Sequence, residues 1–165
     1  MALRTIRIDG DPILRKKSRI VEEINDKIRD LIQDMKDTMY KSEGIGLAAP
    51  QVGMLKRIIV VDVTQPDLEN VDESIPKGPI VLINPQIIEA DGEQIGSEGC
   101  LSVPNFTGKV KRPQHIKVRA NNENFEEVEF DAKDLFARAI CHEIDHLDGI
   151  LYKDRVIGNL ESLGD

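Results

Sequence analysis

Residues Ala132 to Leu147 read AKDLFARAICHEIDHL, and the period of this stretch decides how the chain folds. Phe136, Ile140, Ile144 and Leu147 form one apolar stripe at helical spacing. Leu135, Ala139, His142 and His146 form a second, roughly 120° away at ~100° per residue. Two stripes predict a core helix, and Asp148-Gly149 supplies its stop signal. On such a helix His142 and His146 lie about 40° from eclipsed and ~6 Å apart along the axis, so one cation can be shared between them. Glu143 projects to the side of the pair, where a carboxylate takes a proton from water rather than ligating. The same residues could sit on an acidic helix surface, but the double stripe favours the interior. An unpaired imidazole is costly there, and a metal offers it a partner.

Two histidines leave a catalytic metal one protein ligand short, since such sites commonly use three and keep one position for water. His115 lies upstream in a strand-like run, and Glu161 stands in the carboxy-terminal tail. Cys100 is the stronger candidate, within Glu98-Gly99-Cys100-Leu101-Ser102-Val103-Pro104. A thiolate is a good ligand, and Gly99 lets the backbone approach. Gly44-Ile45-Gly46-Leu47-Ala48-Ala49-Pro50-Gln51 is a further unusual segment, rich in small residues. It lacks the lysine and hydroxyl residue of a phosphate loop and the third glycine of a dinucleotide fingerprint, which argues against nucleotide binding. By itself it reads equally as a tight helix-to-strand connection.

Around these segments the chain reads as an α+β domain over 1–165, mainly antiparallel sheet packed around the histidine-bearing helix. Met1 to Gly10 is expected to be a first strand and not a secretion signal. Ile24, Ile28, Leu31, Ile32, Met35 and Met39 predict an amphipathic helix capped by Asn25 or Asp26. Arg57 to Val63 and Pro79 to Asn84 predict buried strands, with Thr64 to Gly78 a surface loop between them. Asp91-Gly92 signals a hairpin within Ile87 to Gly99, and Asn121 to Asn124 a turn within His115 to Phe130. Tyr152 to Asp165 reads as a short tail, a brief strand or helix.

The 165 residues are 40% apolar and 32% charged, with no run long enough for a membrane helix. A formal net charge of -8 argues against a nucleic-acid surface, which normally needs a basic stripe. Arg15-Lys16-Lys17 and Lys109 to Arg112 are short enough to be solvated faces. Cys100 and Cys141 are read as free thiols in a reducing compartment, Cys141 as a small buried packing residue.

Taken in order, the three segments closely resemble the peptide deformylase family, whose motifs are G-φ-G-φ-A-A-P-Q, E-G-C-φ-S and H-E-φ-D-H, with φ apolar. The likeness extends over most of the chain, including Gly10-Asp11-Pro12-Ile13-Leu14. It implies hydrolytic removal of the formyl group from N-formylmethionyl nascent polypeptides, releasing formate, with metal-bound water as nucleophile. Carried over, Cys100, His142 and His146 become the metal ligands and Glu143 the general acid/base. Gln51 and the Leu101 N–H would bind the oxyanion, and the Gly46 backbone would hold the formyl end. The resemblance also implies Fe2+, with Zn2+, Ni2+ or Co2+ as substitutes, and a monomeric bacterial cytoplasmic enzyme working near the ribosome, with no membrane or nucleic-acid partner.

Ile45, Leu135 and Ala139 are candidates for an apolar substrate pocket, though core packing would use the same residues. Arg138 flanks this stripe, either at the pocket rim, where it would alter preference beyond the first residue, or pointing to solvent, the reading slightly favoured. Glu98 and Asp145 are candidates to orient ligands or arginines such as Arg112. A small metallopeptidase would use the helix motif but leave Cys100 and Gln51 unexplained. A closed structural metal site would need no Glu143.

Overall fold

The computed structural model describes residues 2–66, 68 and 73–163. Its elements are α1 (Asp26–Lys41), β1 (Gly46–Ala48), β2 (Ile58–Val61), β3 (Ile80–Asp91), β4 (Gln94–Cys100), β5 (Val103–Arg112), β6 (His115–Asn121), β7 (Glu127–Lys133), α2 (Asp134–Leu147) and β8 (Glu161–Ser162). All strands pair antiparallel, in one sheet of order β1-β2-β3-β6-β7 and a smaller one of order β4-β5-β8. This is the α+β architecture that the sequence predicts.

The larger sheet lies between the two helices, which explains why β2 is apolar at every position. Ile59 and Val61 face the cluster of Phe136, Ala137, Ile140 and Ile144 from α2. Ile58 and Val60 face that of Leu31, Ile32, Met35 and Met39 from α1. Alternating residues of a strand point to opposite faces, so a strand covered on both sides reads as a continuous apolar run. Asn25 caps α1 as expected, its side chain accepting from the Ile28 N–H at 2.9 Å.

Two expectations fail for want of long-range information. Residues 2–9 form no strand. They lie extended beside α1, where the N–H groups of Ala2 and Arg4 donate to Asp34 and Thr38 side chains, and then reach the Gln51 and Ser102 carbonyls. Asp91-Gly92 does turn the chain, but β3 pairs with β6 and β4 with β5, so the turn passes between sheets and closes no hairpin. A Gly-containing turn specifies a reversal; which strands then pair is decided by distant partners. The hairpin at Asn121 to Asn124 does form, between β6 and β7. The expected loop from Thr64 to Gly78 lies partly outside the described residues. The tail contributes a 3-10 turn at Tyr152–Asp154 and β8.

Helix α2 begins two residues later than its periodicity suggests, because Ala132 and Lys133 are still paired to Ile116 and His115 in the sheet. Its end is a Schellman motif: Ile150 N–H donates to the Asp145 carbonyl at 2.9 Å and Gly149 N–H to that of His146 at 3.2 Å. Gly149 has φ +76°, and a Cβ there would fall 2.5 Å from the Arg15 carbonyl oxygen. Gly149→Ala is therefore expected to lower stability by about 1–3 kcal/mol from the backbone conformation alone, read as a reduced urea midpoint.

Candidate active site

Three parts of the chain converge beside α2. The helix contributes His142, Glu143 and His146, all buried, with the imidazole centroids 5.1 Å apart. The end of β4 contributes Cys100, whose Sγ lies 3.3 Å from His146 Nε2. One ligand atom from each of Cys100, His142 and His146 falls within 4.8 Å of the others. Glu161 pairs with Thr107 on the exposed β8, and His115 pairs with Asp91 and Asp131, so neither joins this group. Cys141 is buried and free; burial pushes its thiol up to about 11, leaving it inert near neutral pH.

The Gly-rich segment forms the facing wall. Gly46 opens β1, and a Cβ on it would fall 2.5 Å from Glu143 Oε2. Only glycine lets backbone and carboxylate come this close. Gln51 follows in the 3-10 turn Ala49–Val52. Its Oε1 accepts from the Ala48 N–H at 2.9 Å, and its Nε2 donates to Ser102 Oγ at 3.0 Å and points to Cys100 Sγ at 3.6 Å. Arg7 N–H to the Gln51 carbonyl and Asp9 N–H to that of Ser102, both 2.7 Å, strap this wall from outside. Cys100 pairs with Val103 across a turn at Leu101-Ser102, which brings Leu101 alongside the same group.

Behind His142 lies a buried charge cluster. Arg112 donates to both Glu98 oxygens at 2.9 Å and to Asp145 at 2.6 Å, and Arg155 holds Asp145 from the tail. Glu98 Oε1 accepts from His142 Nδ1 at 2.9 Å. Burial would raise the Glu98 carboxyl, but the Arg112 and His142 bonds outweigh it and hold it well below the usual range. Glu98 thus orients both Arg112 and His142, and Asp145 orients Arg112. Arg138, expected in solvent, is instead 7% exposed and bonded to Glu98. Helical period places it beside an apolar stripe, but the Glu98 carboxylate, 40 residues away, and the Gly96 and Val110 carbonyls offset the cost of its burial.

These residues fit a divalent cation. The Glu98 bond takes Nδ1 of His142 and leaves Nε2 free to ligate. Burial lowers both imidazoles; His146 stays well below its ordinary value, whereas Cys100, Glu143 and Glu98 together raise His142 above its own. A cation supplies the positive charge these acidic neighbours favour without protonating a second ring. Glu143 Oε1 is buried without a hydrogen-bond partner among the described residues. Burial pushes this carboxyl up to about 7, against the opposing pull of His142.

A cleft of about 360 Å3 opens onto this group. Ile45, Leu135 and Ala139 all line it, Leu135 from an exposed position at its mouth. Phe106 and Leu163 line it too, and Tyr152 stacks on His142 at 6.0 Å. No local pattern marks these last three, which arrive through β5 and the tail.

A family model described as polypeptide deformylase matches residues 3–161. The peptide deformylase of Agathobacter rectalis is 54% identical over 163 residues, 99% of this chain and 96% of that one. A crystal structure of peptide deformylase from Thermotoga maritima superposes with a TM-score of 0.86 at 38% identity, covering 96% of this chain and 100% of that one. One from Synechococcus elongatus, in complex with actinonin, gives 0.83 at 41%, covering 93% and 78%. Sequence and backbone agree along nearly the whole length, and the chain belongs to the polypeptide deformylase family.

Proposed function

We propose that this chain cleaves the formamide of N-formylmethionyl peptides with Glu143 as general acid/base and a divalent cation held by Cys100, His142 and His146. One observation carries the reading: a buried carboxylate oxygen without a hydrogen-bond partner among the described residues, beside a Cys/His/His group at the end of an apolar cleft. The cation supplies Lewis acidity, which lowers the pKa of water and polarises a carbonyl. Glu143 takes the proton as the water oxygen bonds to the formyl carbon. Gln51 Nε2 and the Leu101 N–H hold the oxyanion that develops, and the Gly46 backbone holds the formyl end. When the carbon–nitrogen bond breaks, Glu143 returns the proton to the departing amine and formate leaves. Ile45, Leu135 and Ala139 take the methionine side chain.

A thiolate with two imidazoles suits several divalent ions. Ferrous iron is the proposed native metal, with Zn2+, Ni2+ or Co2+ as substitutes, and iron beside a thiolate makes activity sensitive to peroxide. Among the described residues no helix is long and apolar enough to cross a membrane. The proposed setting is the bacterial cytoplasm, where a monomer meets chains emerging from the ribosome.

The test is formate release from formyl-Met-Ala-Ser by anaerobically purified protein, with unformylated Met-Ala-Ser as control. Cleavage of the control with no formate from the first would replace this reading by a peptidase. Gln51→Leu is expected to lower kcat by about 10²–10³-fold, the usual effect of losing one oxyanion donor. The check is steady-state kinetics on variant protein shown to be folded by circular dichroism.

A further inference from the structure

Arg138 stands one turn before His142 on α2, and its Nη1 meets three acceptors on the β4–β5 hairpin. It donates to Glu98 Oε2 at 2.6 Å, to the Val110 carbonyl at 3.1 Å and to the Gly96 carbonyl at 3.3 Å. Gly96 and Val110 are cross-strand partners, and Cys100 ends the same strand four residues on. One guanidinium therefore ties the helix that bears His142 and His146 to the hairpin that bears Cys100. Arg112 makes the reciprocal tie, from β5 to Asp145 on α2. The helix is pinned on both sides of His142.

The two arginines meet at Glu98. Its Oε1 accepts from Arg112 Nη2 and His142 Nδ1, and its Oε2 from Arg112 Nε and Arg138 Nη1. An ionised carboxylate offers about four lone-pair sites, and all four are engaged. The Glu98–His142 bond occupies Nδ1 and leaves Nε2 to the ligand group. Without Arg138 one site on Oε2 is open, and Glu98 is free to turn away from His142.

We infer that Arg138 is a positioning residue for the metal centre: it sets the spacing between the Cys100 thiolate and the two imidazoles, and it completes the donor set that holds Glu98 against His142 Nδ1. This rests on the reading of Cys100, His142 and His146 as ligands. Lysine cannot replace it, because a single ammonium on a flexible stem lacks the rigid fork that spreads contact over carboxylate and carbonyls. Gly96 is the seat of the guanidinium. A Cβ there would fall 3.0 Å from Arg138 Nη2 and 3.2 Å from Cζ, so the arginine would have to move.

The experiment compares unaltered protein, Arg138→Met and Gly96→Ala, each loaded with Co2+. Loss of the ion to a chelator is timed, and the cobalt–thiolate absorption band is recorded. The Nδ1–H signal of His142 is followed by NMR in the Zn2+-loaded forms. Arg138→Met is expected to release Co2+ about 10–100-fold faster, the usual cost of losing a group that orients a ligand, with a displaced thiolate band and a weakened Nδ1–H signal. Gly96→Ala, which keeps the arginine, is expected to shift all three in the same direction by less. If both variants release Co2+ at the unaltered rate with an unchanged band, the inference is overturned. A lowered unfolding midpoint of the metal-free variants with no change in release marks a brace only, and overturns it equally. Should Arg138→Met fail to fold, Gly96→Ala decides alone. Absence of formate release from the unaltered, loaded protein would count against the hydrolytic reading and leave metal retention unaffected.

Discussion

Glu143→Gln is expected to lower kcat for formate release by about 10²–10⁴-fold while leaving the metal in place. The substitution keeps the shape of the side chain and so keeps its packing against the Gly46 backbone, where a Cβ would already collide with Glu143 Oε2. What it removes is the ability to accept a proton and return it. The Glu143 Oε1 atom has no partner among the described residues, so the loss cannot be traced to a broken structural bond. Single-turnover formate release and metal content, measured on the same sample, check the result. Full activity would refute Glu143 as the base. Loss of metal would place it among the ligands instead.

Cys100→Ala is expected to have the other large effect, on metal retention. The thiol ends β4 and is half-buried, 3.3 Å from His146 Nε2, and it is the member of the group that the helix does not supply. Two imidazoles remain after its removal, too few to exclude competing water and chelators. With free metal at 100 times its Kd, unaltered protein gains about 2.7 kcal/mol against unfolding. That increment should vanish in the variant, while the metal-free forms unfold at closely similar urea concentrations. Urea titrations with and without added Zn2+ read both quantities. A variant that keeps the full metal-dependent increment would exclude Cys100 from the ligand set.

Both expectations start from features of different legibility. His142, Glu143 and His146 are placed together by the helical repeat alone, because residues four apart share a face whatever surrounds them. The helix itself was legible from its two stripes, and its end from Asp148-Gly149. Cys100 was a candidate by chemistry, but its distance to the helix depends on the packing of the β4–β5 hairpin. Arg138 shows the limit most clearly. Its position beside an apolar stripe was readable, but whether a guanidinium faces water or core depends on a carboxylate elsewhere, here Glu98 with two backbone carbonyls. Asp91-Gly92 shows the same limit for the backbone: the turn was right and the pairing wrong, since β3 and β4 find partners in different sheets.

The α+β class, the helix that carries the two imidazoles and the carboxylate, and the family through three ordered motifs are all legible in the amino-acid sequence. The helix and the class follow from covalent geometry and period, which act over one or two turns, whereas the family rests on the likeness of the motifs. The folded chain alone brings Cys100 onto the histidines, holds His142 through Glu98 between two arginines, lines the cleft with Phe106 and Leu163, and stacks Tyr152 on His142. Those arrangements join residues tens of positions apart. Burial and charge pairing across the folded chain set them, and neither is written in local spacing.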